Sequence, residues 1–261
     1  MSKLCLVLFT VLSLNVFAVD RPLDIFKYMD AGDYQKVLSM IHEGVDVNIR
    51  NPIDYNNTLL IEASYRYRTG DNVVLSFTDE LLALKADPNP KNNFGTNAMI
   101  FAVKLHPDTR MLEKFVAHNG DLFDRFYIGE TLLHGVIEND NAGAIDILKY
   151  LLMKGLNVDG LNDSDVTPLM KATASNCRQY EGCGFKSDVI RELVRRGADL
   201  SLKDKYFDFD ALKFAIDNTN DVYVTDYDDI EFLLQNGAVV DQIAITLTER
   251  SELRDLLRRY L

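Results

Sequence analysis

Few residues in this chain could do chemistry. Cys177 and Cys183 bracket Cys177-Arg178-Gln179-Tyr180-Glu181-Gly182-Cys183, two thiols separated by five residues with a glycine that lets the loop turn. In an oxidising compartment such a pair is expected to close a disulfide and tether its loop by roughly 2 kcal/mol; elsewhere both stay free thiols. Two thiolates with no histidine nearby do not fill a tetrahedral metal site. The four histidines, His42, His106, His118 and His134, are dispersed, and no carboxylate pattern makes a metal pair of His106 and His118. There is no glycine-rich phosphate loop, no His-Glu-x-x-His and no nucleophile elbow. The acidic, tyrosine-bearing run from Asp217 to Asp229 lacks the glycine and the spacing of a known calcium loop. The expectation is a chain that is not an enzyme and holds neither metal nor cofactor.

The elements that must position these residues recur. Asp165-Val166-Thr167-Pro168-Leu169-Met170-Lys171-Ala172 reads as a capped helix start, with Thr167 as the cap and Pro168 at the first position, where its missing N–H costs nothing. The same opening returns in Thr58-Leu59-Leu60-Ile61-Glu62-Ala63 and Thr131-Leu132-Leu133-His134-Gly135-Val136. It returns in weaker form at Asn97 and Asp210, which serve as alternative caps. A helix-ending motif answers each opening, a glycine followed by small, apolar or Asp/Asn residues, at Gly44, Gly120, Gly155, Gly197 and Gly237. Lys85-Ala86-Asp87 fills the remaining slot without its glycine. Successive endings are 41, 35, 35, 42 and 40 residues apart.

This pattern resembles the ankyrin repeat, whose unit of about 33 residues opens with Thr-Pro-Leu-His-x-Ala. The resemblance implies an all-α ankyrin-repeat solenoid of helix–turn–helix units joined by β-hairpin loops, with about six repeats and a C-terminal cap. The expected boundaries are 23–50, 51–90, 91–124, 125–160, 161–202 and 203–240, with the cap at 241–261, all in a single domain over 19–261. It also implies that His134 hydrogen-bonds the backbone of a neighbouring hairpin.

Two surfaces compete as binding sites. The excess over 33 residues falls between inner and outer helix in three repeats: at Tyr65, Arg66, Tyr67 and Arg68; at 176–186, with the cysteine pair and Tyr180; and at 217–229, with Tyr223 and Tyr227. Insertions at equivalent places line one edge of a solenoid, and tyrosine and arginine dominate binding hot spots. The alternative is that these loops pack on each other. The second surface is the row of hairpin tips. Just before the slot that needs a left-handed residue stand Tyr55, Phe94, Ile128, Ser164 and Phe207, apolar in four of five. These form either a protein-binding strip or a ladder of side chains stacked on one another.

The address comes from the first residues. Met1-Ser2-Lys3 is followed by an apolar run to Phe17, with small residues before a cut at Ala18, so residues 1–18 read as a cleaved secretory signal and the remainder as free of membrane insertion. Cys5 lies too early to be a lipoprotein cysteine. Loss of Lys3 takes the net charge from −12 to −13, which argues against nucleic acid and anionic lipid as partners. The resemblance to ankyrin repeats implies a protein partner and a chain that is monomeric when free. A signal and a paired cysteine point to the periplasm or the exterior. There the resemblance extends to self-protection and immunity ankyrin proteins, including those of predatory bacteria, which inhibit peptidoglycan DD-endopeptidases. The expected function is thus to sequester a cell-wall hydrolase. The alternatives are a partner or protector of a periplasmic redox enzyme such as a catalase, and a secreted effector that binds a host protein.

Overall fold

A computed structural model describes residues 22–174, 184–219 and 227–261. The expected signal, Cys177, Cys183, Tyr180 and Tyr223 lie outside the described residues. The chain divides after Val45 into two compact units.

The first unit holds α1 (Ile25–Ala31) and α2 (Tyr34–His42). Gly32, at φ +73°, turns the chain between them, and Asp33 caps α2 by accepting from the Lys36 N–H at 3.1 Å. Ile25, Met29, Val37 and Met40 are buried in this unit. The His42 Nδ1 donates to the Leu38 carbonyl at 2.7 Å at the C-terminus of α2.

The second unit opens with a hairpin, β1 (Arg50–Asn51) and β2 (Asn57–Thr58), antiparallel with Arg50 opposite Thr58. Six helix pairs follow. They are α3 (Leu59–Arg66) with α4 (Asn72–Ala83), α5 (Ala98–Leu105) with α6 (Arg110–Ala117), and α7 (Leu132–Val136) with α8 (Ala144–Met153). Next come α9 (Pro168–Ala174) with α10 (Gly184–Arg195), α11 (Ala211–Asn218) with α12 (Asp228–Gln235), and α13 (Gln242–Leu247) with α14 (Ser251–Arg258).

Each inner helix starts where a short side chain caps it. Thr58, Asn97, Thr167, Asp210 and Asp241 accept from the N–H three residues on, at 3.3, 3.1, 3.1, 2.9 and 2.8 Å. The odd-numbered helices α3 to α13 form one row, each against the next, and α4 packs on α6, α8 on α10 and α10 on α12 in a second row. Leu59, Ile61, Met99, Leu133, Leu169 and Leu212 are buried in the inner row, each contributing about 1.5–3 kcal/mol. On the last helix Leu253, Leu256 and Leu257 face inward, and the charged residues cover the end.

Polar ties fix the register between pairs. Side-chain oxygens of Asn48, Asn89 and Asp159 accept from the N–H groups of Asp87, Asp121 and Asp199 in the following unit, at 2.8, 2.7 and 2.9 Å. His134 takes the N–H of Thr131 on Nδ1 at 3.2 Å, so its Nε2 carries the proton and donates to the Val166 carbonyl at 2.9 Å. Burial holds this imidazole below its ordinary pKa, and it stays neutral. The helix-opening histidine therefore bonds the next hairpin's backbone, as the resemblance implied.

Candidate binding face

Three of the hairpins are each closed by one buried amide or carboxylate. Asn92 Oδ1 accepts from the N–H groups of Phe94 and Thr96 (3.0 and 3.1 Å), Asn162 Oδ1 from Ser164 and Val166 (2.9 and 3.1 Å), and Asp204 from Tyr206, Phe207 and Phe209. The slot residues Asn56, Gly95, Gly129, Asp165 and Asp208 all have φ between +57° and +71°. Only Gly fits at 129, because a Cβ there would meet Asp163 Oδ1 at 2.1 Å. In two hairpins the residue before the slot is also left-handed, Tyr55 at +49° and Ile128 at +53°. For a β-branched side chain that conformation is strained by about 1–2 kcal/mol. It aims the Ile128 carbonyl at the Asp163 N–H, 3.0 Å away in the next hairpin, and the Tyr55 carbonyl likewise accepts from Asn93 at 2.8 Å.

The consequence is a row of exposed apolar fingertips. Ile53, Tyr55, Phe94, Tyr127, Ile128, Tyr206 and Phe207 are between 46% and 92% exposed. The Tyr55 and Phe94 rings also touch, with centroids 4.3 Å apart and planes tilted by 46°, so ring contact and exposure coexist at that end. Phe207 instead meets Phe209 of its own hairpin at 5.8 Å. At the fourth tip Ser164 stands between exposed Asp163 and Asp165 and interrupts the row. Sequence reasoning missed Ile53, Tyr127 and Tyr206, although each sits within two residues of a tip that it named.

Of the insertion edge, the first segment is described in full and is corrected, while most of 176–186 and 217–229 lies outside the described residues. Helix α3 runs on to Arg66, a 3-10 turn covers Tyr67–Thr69, and Gly70 and Asp71 start α4 with no projecting loop. Tyr67 is fully buried, its ring edge-on to His106 at 4.9 Å and its hydroxyl 3.3 Å from Asp108, so it offers nothing to a partner. Burial, with the Asp108 carboxylate, pushes its phenol up to about 12. His106 is buried too. Its Nε2 donates to the Ser64 carbonyl at 2.8 Å, and burial drops its pKa to about 4. Asn139 Nδ2 reaches the carbonyls of Val103 and His106, and Gly143 lies so close that a Cβ would stand 1.8 Å from the Pro107 carbonyl. Here the inter-helix segments pack on one another. Tyr65 remains half exposed against Phe101, with the Arg68 guanidinium 5.5 Å over its ring. Arg66 is half-buried and lies 3.9 Å from Glu62. Tyr227 is half-buried at the start of α12, accepting from Arg250 at 3.4 Å, and does not project.

Charges along the inner row are engaged with each other. Glu138 meets Lys104 at 2.7 Å and Lys171 at 2.6 Å, and Lys171 also contacts Glu130. Burial alone would raise the Glu138 pKa, but the two ammonium groups hold it below the ordinary value. Near Leu122, Phe123, Arg125, Thr131, Leu156 and Leu161 there is a cleft of about 370 Å³. Among the described residues, no group of three or more His, Cys, Asp or Glu could hold a metal ion, and no helix is long and apolar enough to cross a membrane.

Comparison with known proteins bears on the fold. The chain is 25% identical over 154 residues to ankyrin repeat protein FPV031 of fowlpox virus (strain NVSL), a match over 58% of this chain. That match spans only 40% of the viral protein's length. No family model matches the chain. Among solved structures it is similar to EF0377, an ankyrin repeat protein, with TM-score 0.64 and 23% identity, covering 82% of this chain and 98% of that one. It is similar to the human ASB11 ankyrin repeat domain with TM-score 0.69 and 16% identity, covering 91% and 97%. The Bcl-3 ankyrin repeat domain gives TM-score 0.66 and 21% identity over 92% and 98%. With its capped inner helices, its left-handed hairpin tips and these likenesses, the chain folds as an ankyrin-repeat solenoid.

Proposed function

We propose that this chain is a protein-binding module, not an enzyme, and that the hairpin-tip row carries the contact. The observation behind this is the line of exposed apolar side chains at Tyr55, Phe94, Ile128 and Phe207, presented on strained, hydrogen-bonded turns. Exposed apolar patches of this kind mark interaction surfaces, and aromatic anchors supply most of the binding energy in them. The inner row, by contrast, has its charges already paired with one another.

The partner is a periplasmic peptidoglycan DD-endopeptidase, which the chain sequesters as a self-protection inhibitor. Support for this finer reading comes from the sequence: the apolar run before Ala18, the two cysteines at 177 and 183, and the net charge of −12. The test adds purified chain to a DD-endopeptidase of the source organism. Inhibition complete near one-to-one, and relieved by F94A and F207A, is the expected result. A complex formed only with a redox enzyme or a host protein overturns the hydrolase assignment, and undiminished binding by the tip variants overturns the strip.

A further inference from the structure

Two carboxyl groups meet at the base of the first hairpin. Glu62, buried in α3, and Asp54, in the hairpin turn, are brought together across a single side chain. Both are held by one side-chain amide: Asn57 Nδ2 is 2.9 Å from Glu62 Oε1 and 3.0 Å from Asp54 Oδ2. That nitrogen has two hydrogens, one for each. The other end of the amide accepts from Asn92 Nδ2 at 2.9 Å, and Asn92 is the residue that holds the Phe94 N–H. Across the same gap Asn56 Nδ2 donates to Asn93 Oδ1 at 2.8 Å, and the Asn93 N–H donates to the Tyr55 carbonyl. Hydrogen bonds thus run without a break from the carboxyl pair to the Phe94 backbone, and a second pair of bonds, beside them, ties Asn93 to the Tyr55 turn.

The other charges nearby are few. Arg66, one turn along α3, is 3.9 Å from Glu62 Oε2, too far for a hydrogen bond. On α5 Lys104 is engaged by Glu138 at 2.7 Å; on α4 Asp79 is engaged by Lys114 at 2.6 Å and Glu80 is exposed. In the turn after α3 Arg68 lies over Tyr65. In the hairpins Arg50 donates to the Asn56 and Lys91 carbonyls, and Lys91 pairs with Asp124 at 2.7 Å.

We infer that Glu62 carries a proton opposite the Asp54 carboxylate, and that losing it loosens the Tyr55–Phe94 fingertips, so that the binding strip is under proton control. This rests on the strip being the binding face. With the proton present, Glu62 is neutral opposite the Asp54 carboxylate and the Asn57 amide serves both. Without it, two anions face one amide and repel. Asp54 is part of the turn itself, with its N–H on Asn51 Oδ1 at 3.3 Å and its carbonyl accepting from Asn57 at 2.9 Å, so displacing it displaces Tyr55. Burial, reinforced by Asp54, places the Glu62 transition at about 7. The fingertips are therefore ordered below neutrality and looser above it.

The experiment is a carbon-13 NMR titration of the full chain across neutral pH, following the Glu62 carboxyl, the Tyr55 and Phe94 rings and the Asn93 amide. The expected result is a Glu62 midpoint about 7, with fingertip signals moving at the same midpoint and Asn93 amide exchange quickening several-fold above it. E62Q removes the transition, and D54N moves the Glu62 midpoint down by about one unit or more. A Glu62 titrating near its ordinary 4.5, or fingertip signals that stay still through the midpoint, overturns the inference. No partner is needed for this reading. A strip that binds nothing would fail in the F94A binding test and leave the titration outcome unaffected.

Discussion

The Nζ of Lys213 sits 2.8 Å from a carboxylate oxygen of Asp241, the residue that caps the next inner helix. It also meets Asp210, the cap of its own helix, at 2.8 Å, with only 2% of its side chain exposed. Lys213 stands in the slot that His134 fills two repeats earlier, and it ties α11 to α13 by charge where the histidine uses a neutral N–H. Burial alone would lower the Lys213 pKa, and the two aspartates more than reverse that. Replacing Lys213 by Met leaves two capping carboxylates without their cation. Stability is expected to fall by about 2 kcal/mol, read as the midpoint of urea unfolding. An unchanged midpoint would show that the tie contributes nothing.

His106 predicts an acid-sensitive edge. Its folded pKa of about 4 lies below the ordinary 6.5, so the unfolded chain takes up a proton first as pH falls. Its stabilising contribution is whole above pH 6.5 and is lost progressively down to about 4. Glu62 acts with the opposite sign: its raised pKa of about 7 penalises folding as pH climbs from 4.5. Single variants separate the two. H106Q, which keeps a donor for the Ser64 carbonyl, should lose less stability than wild type between pH 7 and 5. Equal losses would mean that His106 is protonated without cost.

Gly143 and Gly155 should respond differently to alanine. At 143 the new Cβ would stand 1.8 Å from the Pro107 carbonyl, backbone that cannot step aside, and destabilisation of about 3 kcal/mol is expected. At 155 nothing lies within 4 Å, and only the left-handed φ of +91° is strained, worth about 1 kcal/mol. Thermal melts of the two variants check this. Similar shifts would contradict the close packing of the 106–109 and 137–143 segments.

At the fingertips stability and binding should part company. Phe94 and Phe207 are more than half exposed, so F94A and F207A are expected to change stability by no more than about 0.5 kcal/mol. The same changes should weaken partner binding tenfold or more if these rings are anchors. Calorimetry on each variant, with and without partner, gives both numbers. A loss of stability matching the loss of binding would make the rings structural.

Local grammar was legible in the chain itself. Thr58, Asn97, Thr167, Asp210 and the left-handed slots at 56, 95, 129, 165 and 208 do their work within three to five residues, so type and spacing suffice to place them. The apolar tips at Tyr55, Phe94, Ile128 and Phe207 followed from that register, because a residue beside a left-handed slot on a tight turn has little to pack on. Tertiary structure decided the rest. Tyr67 looked like a surface anchor until Asp108, 41 residues away, took its hydroxyl and His106 took its ring. Lys213 drew no notice in the sequence, and Asp241 of the next pair gives it its partner. Glu62 acquires its altered acidity from Asp54 and from burial. In each case burial and partner choice depend on which distant segments stacking brings opposite one another, and side-chain type and local period carry no record of that.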